Sequence, residues 1–327
     1  MNWLGGKRMT LFKQDVIDLF SGKRGGHVEH WLYSDTLRKE FTGSQLWNEF
    51  LKASSDYYVL RNEVDLIARV APDLATILPP IDTVVDFGVG NGAALTNKVI
   101  PILEGLKTVQ TYIGIDLSKA FLENAQNTIT AAYPSITTQT IHGDFYNASF
   151  ALQDNKQLGL MLGSTITNLD MKMNDVFPQN HIVDRLKHLK ELMGKDNHLL
   201  MSYDANTDSE SIKLAYTNKY WGRHVTGIMY DVEGLTKGDF SAEDWKHTRV
   251  WNTEAHVLHQ CAESTRHQHF YIEDYCFDIP KGKQFVTVNN FKFPTGLFQS
   301  MCDEAGFKVK DNYTDNQNRM QLQLLGT

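Results

Sequence analysis

From about Thr10 to Val70 the apolar residues recur at helical spacing. Leu46, Trp47, Phe50 and Leu51 stack on one face, and further on Val59, Val64, Leu66 and Ile67 do the same, so this stretch predicts helices alone. At Thr83 the texture changes to a β-branched run, Thr83-Val84-Val85-Asp86-Phe87, which ends at Gly88 and is followed by Val89-Gly90-Asn91-Gly92 and a helical stretch from Ala93 to Leu106. A second unit repeats the plan. Thr111 to Ile115 reads as a strand ending at Asp116, Ser118 can cap a helix running to about Ala132, and Thr137 to His142 reads as a strand ending before Gly143-Asp144-Phe145. Leu158 to Leu162 predicts a fourth strand, His181 to Met193 a helix and His198 to Tyr203 a fifth strand. Strands alternating with helices at this pitch predict an α/β fold, a parallel sheet with helices on both faces. After Tyr203 the alternation stops. Extended runs such as His269 to Phe277 then predict an inserted β-containing lobe, and Gln321 to Leu325 a last strand.

In such a sheet ligands bind beyond the carboxyl ends of the strands. Those ends carry Gly88, Gly90 and Gly92, then Asp116, then Asp144 with Phe145, then Gly163 with Ser164. Glycines after the first strand let the backbone approach a bulky ligand, and a carboxylate ending the second can accept both hydroxyls of a ribose. An acid followed by an aromatic suits adenine, whose amine needs an acceptor and whose face needs a flat apolar neighbour. A dinucleotide site competes, since it too pairs a glycine turn with a later acid. The run VDFGVGNG, however, lacks the third glycine of a GxGxxG turn, which favours S-adenosyl-L-methionine as the nucleoside ligand. Taken singly, each glycine reads as a turn, and Asp116 or Asp144 as the cap of the next helix. Their joint placement makes the case.

Charge and cysteine usage narrow the partners. In a chain of 327 residues, 32 Lys and Arg stand against 39 Asp and Glu, a net charge of -7 that repels a phosphate backbone and disfavours nucleic acid. Cys261, Cys276 and Cys302 form no CxxC pair, which argues against zinc and a disulfide framework and fits a cytoplasmic protein. No run nears the roughly 18 apolar residues of a membrane span, and no feature predicts an oligomer, so a monomer is expected. His256, His259, His267 and His269 lack a matching carboxylate or thiol pattern, so no metal is expected, and Trp221, Trp245 and Trp251 read as core.

Several stretches carry a resemblance: SDYYVLRNE from Ser55, VVDFGVGNG from Val84, YIGIDLSKAFLENA from Tyr112, YPSITTQTIHGDF from Tyr133, LGSTITNL from Leu162, LAYTNKY from Leu214 and VWNTEAH from Val250. From about Trp31 onward the chain resembles the histidine-specific, S-adenosylmethionine-dependent Nα-methyltransferases of ergothioneine biosynthesis. The resemblance implies a Rossmann-like class I methyltransferase sheet from residues 62–203 with 291–327. It also implies an α+β substrate-binding lobe from residues 10–61 with 204–290. By the same resemblance Tyr33 and Tyr57 lie near the substrate amine and act as the catalytic pair, while Asn168 and Tyr216 hold the α-carboxylate. Where the family grips imidazole with a Glu and a Ser, this chain has Val288 and Asn290, and Gln260 replaces a methionine. Losing an acceptor for a ring N–H lowers discrimination for histidine, so the acceptor is read as histidine, another amino acid or a related amine. The implied reaction is in-line displacement by a neutral amine, with alignment as the main contribution of the protein. Two alternatives stand beside it: methylation of another small molecule in natural-product biosynthesis, and a catalytically silent regulatory protein that only binds the donor.

Overall fold

A computed structural model describes residues 3–33, 42–146 and 156–327. Its strands, in chain order, are β1 Thr83–Phe87, β2 Thr111–Asp116, β3 Thr137–His142, β4 Gln157–Met161, β5 His198–Asp204, β6 Lys237–Asp239, β7 Trp245–Asn252, β8 Val257–Ser264, β9 Gln268–Ile272, β10 Tyr275–Ile279, β11 Gln284–Phe291, β12 Lys308–Thr314 and β13 Met320–Gly326. The chain divides into two units. The first comprises Met1–Asp56, Asn168–Phe177 and Asp208–Phe291, and the second Tyr57–Thr167, Pro178–Thr207 and Lys292–Thr327.

The second unit is built on a seven-stranded sheet of order β12-β13-β5-β4-β1-β2-β3. β1 to β5 run parallel, whereas β13 lies antiparallel to β5 and β12 antiparallel to β13. The order reverses at β1, which pairs with β2 on one side and β4 on the other, and a ligand crevice is expected at that switch point. β1 and β4 are buried along their whole length, as strands covered on both faces must be, and β3 is a largely exposed edge. Helices Lys119–Ala132 and Tyr58–Val70 pack on opposite ends of this sheet, against β2 and β3 and against β13 and β12 respectively. The expected cap is present: Ser118 Oγ accepts from the Phe121 amide at 3.3 Å.

The helix expected from Ala93 to Leu106 is interrupted. It begins as a short α-turn at Gly92–Ala94, widens to a π-turn over Leu95–Val99 and resumes as Ile100–Leu106. Helix Tyr58–Val70 also corrects the sequence reading, because Val64 is only half-buried while Glu63 is fully buried among Val59, Leu66 and Ile67. Glu63 occupies the apolar register because Lys98 meets its carboxylate at 3.0 Å, both side chains being nearly inaccessible.

The first unit contributes helices Trp3–Phe20, Glu29–Leu32, Gly43–Ala53, Ser209–Ala215, Lys219–Thr226 and Ile228–Glu233, with two small antiparallel sheets of order β10-β9-β6 and β11-β8-β7. The run from His269 to Phe277 is therefore a hairpin, turning at Glu273 with φ 52°. Helix Gly43–Ala53 opens on a capping box, in which Thr42 Oγ1 accepts from the Gln45 backbone amide and Gln45 Oε1 accepts from the Thr42 backbone amide. No helix among the described residues is long and apolar enough to cross a membrane.

Candidate active site

In the second unit the expected donor residues gather where the order of the sheet reverses. β1 ends at Phe87, and the chain turns through Gly88 at φ 95° and Gly90 at φ 64°, conformations that side-chain-bearing residues resist. The turn closes when Asn91 Oδ1 accepts from the Ala94 amide at 2.8 Å. Gly92 faces Asn124, whose Oδ1 would lie 2.9 Å from an added Cβ, so a side chain there would displace the Asn124 amide. Asp116, at the end of β2, receives the Ser118 amide on Oδ1 at 2.8 Å and the Gly90 amide on Oδ2 at 3.4 Å. Its carboxylate is thereby fixed against the glycine turn. Asp144 receives the Tyr146 amide at 2.9 Å, and this turn sets the Phe145 ring 5.8 Å from Phe87, edge to face.

Gly163 and Ser164 end β4. The Gly163 amide donates to Glu63 Oε1 at 2.5 Å, and the same oxygen accepts from Ser202 Oγ. Ser164 Oγ accepts from the Asp204 amide at 2.8 Å, tying β4 to β5. Beneath the glycine turn Asp86 is fully buried, accepts from the Tyr112 hydroxyl at 2.8 Å, and is pushed up to about 7 by burial. Tyr146, beside Phe145, lies under the Arg185 guanidinium at 4.2 Å, and burial raises its hydroxyl to about 12. A glycine turn, a fixed carboxylate and an acid-aromatic pair at one switch point fit an adenosyl ligand: Asp116 would hold the ribose, with Asp144 and Phe145 at the base.

The first unit holds most of the residues expected to meet the acceptor. Tyr33 caps helix Glu29–Leu32 and joins Trp47 and His224, at centroid distances of 6.2 and 4.9 Å. Tyr216 ends helix Ser209–Ala215 and faces Trp221 at 5.2 Å and Phe50 at 6.4 Å in parallel orientation. Since Trp47 and Phe50 both also contact Trp221, Tyr33 and Tyr216 belong to one aromatic cluster. Asn168, Gln260 and Asn290 meet in a chain of hydrogen bonds that begins at His247: His247 Nε2 donates to Gln260 Oε1 at 2.7 Å, Gln260 Nε2 to Asn290 Oδ1 at 2.8 Å, and Asn290 Nδ2 to Asn168 Oδ1 at 3.5 Å. Val288 is wholly buried and directly opposite Gln260 in the β11-β8 ladder. Burial lowers the His247 imidazole to about 4, so it stays neutral. Tyr57 belongs to the second unit, buried at the start of helix Tyr58–Val70.

Sequence reasoning missed Glu63, Lys98 and His247. Glu63 was detectable, since Val59, Glu63 and Ile67 fall at successive i, i+4 positions and a charge in an apolar stripe implies a buried partner. His247 gave no such signal, because β7 mixes exposed and buried positions without clean alternation. Among the described residues no group of three His, Cys, Asp or Glu side chains is placed to hold a metal, and His259 instead bonds Asn289 at 2.7 Å.

Residues 12–327 match the model of a family described as histidine-specific, S-adenosylmethionine-dependent methyltransferases. The chain belongs to that family. It is accordingly a methyltransferase, and S-adenosylmethionine is its methyl donor. Relatives share the N-methyltransferase designation. The N-methyltransferase dtpB of Aspergillus flavus is 22% identical over 80% of this chain and 76% of its own length. The histidine N-alpha-methyltransferase of Mycolicibacterium smegmatis is 22% identical over 87% of this chain and 85% of its own. The 4-dimethylallyltryptophan N-methyltransferase easF of Trichophyton verrucosum is 25% identical over 64% of each chain. Within the family, then, histidine and a tryptophan derivative are both named as substrates of relatives.

Proposed function

We propose that this methyltransferase transfers a methyl group to the α-amino nitrogen of an amino acid, with the residues around β8 and β11 selecting the side chain. The observation that carries the reading is the hydrogen-bonded chain His247–Gln260–Asn290–Asn168, which unites in one unit three residues that family resemblance nominates independently. Tyr33 and Tyr216 add a shared aromatic cluster, whose half-buried members Tyr33 and Trp47 suit a flat acceptor side chain.

When bound, the donor supplies an electrophilic methyl on a cationic sulfur. Asp116 holds the ribose hydroxyls, Asp144 and Phe145 the adenine, and the turns at Gly88, Gly90 and Gly163 bring backbone close to the donor. Tyr33 and Tyr57 position the amine, and Asn168 and Tyr216 orient the α-carboxylate. Because the donor is already activated, these residues act mainly by alignment, an effect that can be worth roughly 7 to 11 kcal/mol. Val288 brings no carboxylate to the ring-binding position, so a protonated or N–H-bearing ring is gripped by amide groups instead.

The test is calorimetric titration of histidine, tryptophan, tyrosine and arginine into protein saturated with S-adenosylhomocysteine, followed by turnover with labelled donor. One of these amino acids is expected to bind in the micromolar range and to be recovered with the label on its α-nitrogen. Donor binding without uptake or labelling of any amino acid would overturn the proposal.

A further inference from the structure

Arg249 lies on β7 directly opposite Gln260 of β8, within the three-stranded sheet β11-β8-β7. Paired residues of an antiparallel ladder share a face, and alternate residues along a strand return to it. Arg249 therefore shares one face with His247, Gln260, Val288 and Asn290, the face on which the amide chain runs. The acidic residue of these strands, Glu263, lies on the other face, where it bonds Lys246 and Gln284.

Arg249 is half-buried, and among the described residues its guanidinium makes one hydrogen bond, from Nη1 to the Lys213 carbonyl oxygen at 2.9 Å. No described carboxylate pairs with it, and burial alone pulls its pKa below the usual arginine value. Arg266 of the same unit shows the contrast, with Asp239 and Asp244 both bound at 2.6 Å. A cation held partly out of water without a counter-charge is costly, and an arriving carboxylate relieves that cost by taking two parallel N–H bonds. The Lys213 carbonyl that anchors Arg249 is three residues before Tyr216, so the guanidinium is tied to the turn bearing that tyrosine. The other polar groups on this face, the Gln260 and Asn290 amides, the His247 imidazole and the Ser264 hydroxyl, are neutral.

We propose that Arg249 binds a carboxylate of the acceptor and so makes this enzyme selective for acids over the corresponding amines. The assignment rests on the amino-acid reading above and deepens it. The neutral chain ending at Asn168 sets direction, and Arg249 supplies the attraction. The carboxylate is either the α-carboxylate or one on the acceptor side chain, and the experiment separates the two.

The full-length protein and its R249M and R249K variants are assayed with labelled donor on histidine against histamine, tryptophan against tryptamine, and glutamate against glutamine. Wild type is expected to favour acids. In R249M the ratio of kcat/KM for acid over amine falls by about 30-fold, mostly through KM, and R249K recovers part of it. Collapse of the histidine or tryptophan ratio places the α-carboxylate at Arg249, and collapse of the glutamate ratio alone places a side-chain carboxylate there. Binding of S-adenosylhomocysteine at wild-type affinity confirms that the variants are folded. An acid-over-amine ratio that R249M leaves at the wild-type value overturns the assignment while the amino-acid reading stands. A wild type that binds donor and methylates none of these compounds overturns that reading first.

Discussion

Asp116, proposed above as the ribose acceptor, is also structural. Its oxygens accept the Ser118 and Gly90 amides, so the carboxylate is fixed in place before any hydroxyl arrives. D116A removes the proposed acceptor for the ribose and the tie to the turn, and calorimetry should show S-adenosylhomocysteine affinity reduced by about 100-fold. Lys98 presents the opposite case, with no expected contact to ligand. K98M leaves the Glu63 carboxylate buried without its cation, and chemical denaturation should show a loss of about 3 to 5 kcal/mol. The double variant E63Q/K98M should recover much of that stability, because neither charge then remains.

At the scale of elements, the caps and strand ends were readable because local chemistry dictates them. Ser118, placed between Asp116 and an apolar helix, caps as expected, and S118A should lower stability by about 1 kcal/mol in thermal melts. The parallel strands were legible for a similar reason, since buried β-branched runs separated by helix-length segments admit few other arrangements. The π-turn at Leu95–Val99 was not, because nothing in Leu95-Thr96-Asn97-Lys98-Val99 distinguishes a π-turn from an α-turn. The turn at Glu273 also lacked a signal: the chain takes positive φ there without the glycine or asparagine that usually marks it. The acceptor residues were legible only by resemblance. Asn168, Gln260 and Asn290 come from three separate segments, and nothing in their spacing announces that they will touch.

Across the molecule, Asp86 links the stability of the second unit to pH. Burial raises its folded pKa to about 7 from an ordinary value near 3.8, so the folded protein holds this proton more tightly than the unfolded chain. Its contribution to stability is full below about pH 4 and is lost as pH rises toward 7, about 4 kcal/mol at most. D86N cannot ionise. Relative to wild type it should gain stability between pH 4 and 7 and hold that difference above, which melting curves across the range would record. A constant difference across that range would show that Asp86 does not titrate there.

The place of β13 also constrains how the polypeptide can be made. Met320–Gly326 is hydrogen-bonded to β5 on one side and β12 on the other, and every residue of it is buried. During synthesis β5 must wait, the edge that will meet β13 unsatisfied, until more than a hundred further residues have left the ribosome. The nascent chain thus passes through a stage with an open, apolar sheet edge, the kind of surface that chaperones shield.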